Sequence, residues 1–198
     1  MALTSTPYGL RPINAIGGRS FAGSTRQLPI TSGFNTAIAN GDIVQVDATN
    51  GTITKVTTVG TNAAAFPAGT VGVFLGCSYT DAIRGFTQNN QWPAGQVAAD
   101  AQAYICDDPN ALFQIQADAA VAQTLMHSNF AVNQTAPDTA NGNSRISLDV
   151  ATAATTATVA FKLVDFVNAP GSTVGDAFTD VIVKFNPSSH AYTAGLGL

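Results

Sequence analysis

Three segments of this chain alternate apolar and other residues with a period of two: Ile146, Leu148 and Val150; Val159, Phe161 and Leu163; Val181, Val183 and Phe185. Successive side chains of a strand point to opposite faces, so each pattern describes a strand with one buried face. The residue types available elsewhere point the same way. The 198 residues include twelve aspartates but no glutamate, and lysine occurs only at Lys55, Lys162 and Lys184. Glu and Lys are good helix formers, so their scarcity removes the ordinary solvent face of a helix. Threonine favours strands, and the 18 glycines favour turns. The expected fold class is all-β, mainly antiparallel and barrel- or sandwich-like, with an extended N-terminal arm and at most one or two short helices.

Turn chemistry divides the strands. Asn50-Gly51 separates Asp42-Ile43-Val44-Gln45-Val46-Asp47 from Thr52-Ile53-Thr54-Lys55-Val56, and an Asn-Gly pair supplies the positive φ of a tight hairpin. Val71, Val73, Leu75 and Cys77 alternate on one face of the next strand, with Gly72 and Gly76 opposite. Glycines inside a strand predict a bulge or a close backbone approach. The polar stretch from Thr87 to Gly95 is expected as a loop or second hairpin. Asp107-Asp108-Pro109-Asn110 is a turn between Tyr104-Ile105-Cys106 and Phe113-Gln114-Ile115-Gln116. The one helix expected is short: Asp118 would cap Ala119 to His127, with Val121 and Leu125 one turn apart and Ser128-Asn129 ending it.

Two units are read from this pass. Residues 1–27 contain Pro7, Pro12 and four glycines together with Arg11, Arg19 and Arg26, without sustained periodicity. Prolines hold their preceding residues extended. The segment is therefore expected as an extended arm, with apolar anchors at Tyr8, Leu10, Ile13, Ile16 and Phe21. Residues 28–198 form the β-rich domain, in which 132–144 is a surface excursion. No repeat of fixed period occurs.

Charged residues make up 10% of the chain, against about 25% in typical soluble proteins, and the formal net charge is −4. Weak self-repulsion suits a protein bound to copies of itself or to a larger assembly. A monomer coated with Thr, Asn and Gln is the alternative. Eight basic residues, outnumbered by acids, make a poor footprint for the phosphate backbone, so nucleic acid is not expected as a partner. No apolar run reaches the length of a membrane-spanning helix, and the N-terminus lacks a basic region followed by an apolar stretch, so neither a membrane nor a secretory leader is expected. Cys77 and Cys106 lie in apolar runs and read as reduced, buried small hydrophobes, a single buried disulfide being the alternative.

Chemistry is thinly provided. His127 ends the expected helix and His190 lies in a turn, and no serine sits in a nucleophile elbow. Asp107 and Asp108 read first as turn residues whose side chains bond to backbone. Zinc spacing, an EF-hand pattern and a phosphate-cradling glycine signature are missing from the sequence. No enzyme is expected, and no catalytic residue, metal or cofactor is nominated.

Several motifs recur together in one known family. Pro7-Tyr8-Gly9-Leu10-Arg11-Pro12, Gly17-Gly18 and Phe21-Ala22-Gly23-Ser24-Thr25-Arg26 are followed by Gly41-Asp42-Ile43-Val44 and by Val71 through Asp81. Then come Trp92-Pro93-Ala94, Tyr104 through Pro109, and Asp180 through Asn186. This ordered set resembles the capsid decoration (cement) proteins of tailed bacteriophages and runs through most of the chain, with 133–144 the least matched stretch. The Gly-Asp-Ile-Val and Val-Gly-Val-Phe pieces are also similar to the small β-barrel of shorter phage head-decoration proteins.

The resemblance implies a structural virion protein made in the host bacterial cytoplasm and carried on the outer surface of the capsid. It would stabilise the shell by clamping subunits of the major capsid protein, often as a homo-oligomer, a trimer or dimer at a symmetry axis. An arm can add a strand to a neighbour's sheet edge. On that ground Tyr8, Leu10, Arg11, Arg19, Phe21 and Arg26 are the candidate contact residues. A second reading is a carbohydrate- or host-binding module on the virion surface, with Trp92, Tyr79 or Tyr104 as a stacking platform. A hydrolase using Asp and His ranks last.

Overall fold

The computed structural model describes residues 4–169 and 172–195 and is built almost entirely of antiparallel strands. In chain order these are β1 (Arg11–Ala15), β2 (Arg19–Ser20), β3 (Arg26–Pro29), β4 (Ile38–Ala39) and β5 (Ile43–Val46). Then follow β6 (Ile53–Lys55), β7 (Thr70–Asp81), β8 (Gly85–Asn89), β9 (Gln91–Trp92) and β10 (Gln102–Cys106). The last five are β11 (Ala111–Gln116), β12 (Asn129–Asn133), β13 (Ser147–Ala154), β14 (Phe161–Phe166) and β15 (Asp180–Phe185). The all-β expectation holds.

Two sheets carry the fold. One runs β13-β12-β14-β15-β11-β1-β2, and the other runs β3-β10-β7-β5-β6 with β8 added beside the far half of β7. The second sheet curls until Ile30, just after β3, bridges Ile53 of β6, so its two edges meet. Two hydrophobic cores result. The larger lies against the seven-stranded sheet and includes Leu10, Ile43, Val73, Phe113, Phe130, Phe161 and Phe185. The smaller fills the curled sheet and includes Ile30, Val44, Val71, Phe74, Cys77, Tyr79 and Trp92.

Strands β5, β7 and β10 form a wall common to both cores. Ile43 faces one core and Val44 the other, and Cys106 and Ile105 divide in the same way. The long strand β7 changes allegiance twice. Val71 belongs to the smaller core, Val73 and Leu75 pack on the larger, and Cys77 and Tyr79 return to the smaller. The single face expected for Val71, Val73, Leu75 and Cys77 is therefore corrected. Its cause is the pair of glycines. The register slips beside Gly72 against β5 and beside Gly76 against β10, and each extra residue reverses which side chains point inward. A Cβ on Gly72 would run into the Cys106 carbonyl oxygen. The bulge and the close approach expected from these glycines are both present.

The expected hairpin forms between β5 and β6, with Asp47 N–H donating to Thr52 O (2.8 Å) and Gly51 at φ +67°. The polar stretch after Gly85 supplies β8, which returns along β7. The Asp107–Asn110 turn is tied by Asn110 N–H to Asp108 Oδ1 (2.8 Å), but it links strands of different sheets rather than a hairpin. The three alternating segments become β13, β14 and β15.

The helix expected from Ala119 to His127 is absent, and a single 3-10 turn at Gln123–Leu125 stands in its place. Asp118 caps nothing. Its carboxylate instead accepts from Val150 N–H (3.0 Å) on Oδ1 and from Asn133 Nδ2 (2.9 Å) on Oδ2, which holds β12 and β13. Val121 is drawn into the larger core, its N–H bonded to Thr179 Oγ1 (3.1 Å), and His127 adopts φ +64°. A second 3-10 turn covers Pro187–Ser189.

The excursion at 132–144 begins inside β12 and carries exposed residues at Thr135, Ala136 and 139–141. Its end is anchored. Asn143 bridges Asn40, and Ser144 is fully buried against Asp42.

Candidate interaction surface

The N-terminal segment does not stand apart from the domain. Strand β1 pairs with β11, β2 pairs with β1, and β3 pairs with β10. Gly9 N–H donates to Ile146 O (3.2 Å) and Leu10 N–H to Gly41 O (3.0 Å). Gly9 takes φ +74°, and a Cβ there would strike Ser144 and the Gly41 carbonyl. The extended arm expected over residues 1–27 is thus stitched into both sheets over its described part. The physical reason is that β11 and β10 each present an edge that needs covering, and the nearest tethered partner is this segment.

The six candidate contact residues divide accordingly. Leu10 has no exposed surface and belongs to the larger core, and Phe21 packs half-buried against it. Tyr8 donates its hydroxyl to Asp180 Oδ1 (2.9 Å), and the Arg11 guanidinium lies over its ring, 4.1 Å from the centroid. Burial, then the Asp180 charge, push the Tyr8 phenol well above its ordinary pKa, and burial raises the Asp180 carboxyl. Arg26 is paired with Asp107 (2.8 Å), which also accepts the Tyr192 hydroxyl (2.8 Å). Of the six, Arg11, Arg19 and Arg26 present exposed side chains, and Arg26 meets a carboxylate of its own chain.

Three titratable side chains, His190, Cys77 and Cys106, are buried. His190 is buried between Phe185 and Tyr192, with ring centroids 5.6 and 5.1 Å away, and its Nδ1 accepts the Tyr192 N–H (3.3 Å). Burial holds its pKa below the ordinary value, so the ring is neutral at pH 7. Cys77 and Cys106 are free thiols in different cores, pushed by burial to about 12 and about 11. Among the described residues, no three His, Cys, Asp or Glu side chains gather in a group that could hold a metal ion.

The aromatic platform is corrected. Trp92 has no exposed surface and Tyr79 is buried beside it, edge-on at 5.3 Å. Tyr104 is half-buried and donates its hydroxyl to Ser78 Oγ (3.0 Å). Trp92 anchors the smaller core, and its place beside Pro93 in a polar stretch had suggested exposure.

The surface feature that sequence reasoning missed lies at the β7–β8 turn. Ile83 is 95% exposed, Phe86 70% and Val97 73%. Asp81 holds the turn by accepting the N–H groups of Ile83 and Arg84 (2.9 Å each), and Gln96, next to Val97, reaches Asp81 Oδ2 (3.4 Å). The signal available was an Asp four residues before Gly85 with an apolar residue between them: an Asx turn whose apex carries Ile83. At the other end of the molecule, where β1 and β2 meet the β10–β11 turn, lies a groove of about 210 Å³. Ala15, Phe21, Ala22 and Ala111 line it, with Arg19 and Asp108 beside them. A third surface runs past Ser5–Tyr8 and 133–145, where Arg145 stands between two adjoining grooves of about 300 and 640 Å³.

Comparison with protein-family models, characterised proteins and solved structures finds no match to this chain.

Proposed function

We propose that this chain is a structural protein of a tailed-phage head, bound on the outer surface of the shell, where it stabilises the major capsid protein lattice and turns over no substrate. The supporting observation is spatial. Motifs that resemble decoration proteins lie far apart in sequence and meet in the fold. Gly9 of the Pro7–Pro12 piece packs on Gly41, Gly72 of the Val71–Asp81 piece abuts Cys106 of the Tyr104–Pro109 piece, and Tyr8 bonds Asp180 of the last. These contacts support reading the pieces together. The least matched stretch, 133–144, is largely surface loop.

The exposed apolar turn at Ile83 and Phe86 also favours a life in an assembly, because a large apolar side chain in full contact with water marks an interaction site when it has neighbours of its kind. The carbohydrate reading loses its platform with the burial of Trp92 and Tyr79.

The test is an image of the intact particle. Electron cryo-microscopy of heads from cells that make this protein should reveal its backbone as repeated density on the outer face of the shell, at fixed lattice positions. Mature heads that lack the polypeptide by mass spectrometry would sink the reading.

A further inference from the structure

The geometry points to head-to-tail association between copies of this chain, in which the Ile83–Phe86 turn of one copy enters the groove of the next copy beside Phe21. The two surfaces cannot meet within one molecule. Cys106, next to the groove, is opposite Val73, whereas the turn begins at Asp81, eight residues further along β7. At about 3.3 Å per residue that is roughly 25 Å of strand.

Size and chemistry match. A cavity of about 150 Å³ accepts a benzene molecule, so the groove of about 210 Å³ is large enough for the Phe86 ring. Its apolar lining of Ala15, Phe21, Ala22 and Ala111 suits that ring, and Ile16, 45% exposed at the neighbouring β1–β2 turn, extends the apolar surface. The charges are reciprocal. The turn carries Asp81 and Arg84, and the groove carries Arg19 and Asp108, so each surface offers the other a charge of either sign. Charge pairs of this kind select a partner and fix its register more than they add affinity. Donor and acceptor surfaces differ, so the contact is heterologous and generates a closed ring or an open chain.

This inference goes beyond the capsid reading and is measured on the free protein, so either can fail without the other. Light scattering with size-exclusion chromatography, from about 1 to 200 μM, should give a mass that rises above the monomer with concentration. The double variant I83S/F86S should weaken association at least tenfold with its thermal midpoint unchanged, since neither side chain supports the core. Arg84→Asp should weaken association by a similar factor. Combining Arg84→Asp with Asp108→Arg should recover most of the loss. Two results overturn the inference: a wild-type protein that is monomeric throughout, or a folded I83S/F86S variant that associates like the wild type.

Discussion

Lys55 Nζ lies 2.7 Å from Asp42 Oδ2, and both side chains are buried. The carboxylate also accepts Ala39 N–H (2.9 Å) on the same oxygen and Ser144 Oγ–H (2.6 Å) on the other. Asp42 thereby joins the turn before β5, strand β6 and the end of the 132–144 excursion at one buried point. Breaking a buried pair leaves an uncompensated charge, which costs about 3–5 kcal/mol. Lys55→Ala should lower unfolding stability by that amount in urea titration, and a loss below about 1 kcal/mol would mean that water reaches the carboxylate.

Leu10 sets the fate of the N-terminal segment. Its side chain is in the larger core, so Leu10→Ala should cost about 2–5 kcal/mol. Deleting residues 1–27 removes β1, β2 and the start of β3 and uncovers the edges of β11 and β10. The truncated protein should be insoluble or lack dispersed amide resonances. A soluble, well-folded 28–198 fragment would restore the picture of a separable arm.

Gly72 and Gly85 give a controlled comparison. Both have positive φ, but a Cβ on Gly72 meets the Cys106 carbonyl, whereas one on Gly85 meets open space. Gly85→Ala should therefore cost about 1 kcal/mol, from backbone conformation alone. Gly72→Ala adds a backbone clash in a packed wall and should cost at least about 3 kcal/mol. Equal losses in denaturant titration would show that the bulge yields without cost.

His190 makes stability depend on pH in a defined direction. Burial depresses its folded pKa below the ordinary 6.5, so on acidification the unfolded chain binds the proton first. Its contribution is fully present above pH 6.5 and is lost as pH falls toward the folded value. In urea titrations between pH 7.5 and 5.5, the wild type should lose more stability than His190→Gln, whatever their offset at neutral pH. Parallel losses would exclude His190 as the titrating group.

Much of the fold was legible because its signals are local. Alternation in 146–150, 159–163 and 181–185 became β13, β14 and β15, and the Asp107–Asn110 turn formed as its residues require. The helix failed where a local cue met a stronger distant one. Asp118 has the chemistry of a cap, but the N–H of Val150 and the amide of Asn133 claim its carboxylate. The surface sites were less legible. Leu10 reads as an arm anchor for a partner and Trp92 as an exposed platform, yet both fill cores assembled from remote strands. Nothing in the local sequence sets Ile83 and Phe86 apart, and only the fold leaves them in water, Ile83 in the β7–β8 turn and Phe86 on β8.

The amino-acid sequence by itself determined that the chain is made of strands, where most of them turn, and that Gly72 and Gly76 interrupt one of them. Those properties follow from side-chain alternation and backbone sterics within a few residues. Tertiary structure alone decided which strands pair, which of two cores each face enters, and that the first residues cover their own domain's edges. A period of two declares that a face is buried without saying against what. The answer depends on partners scores of residues away in the chain, as when Tyr8 finds Asp180 and Ser144 finds Asp42.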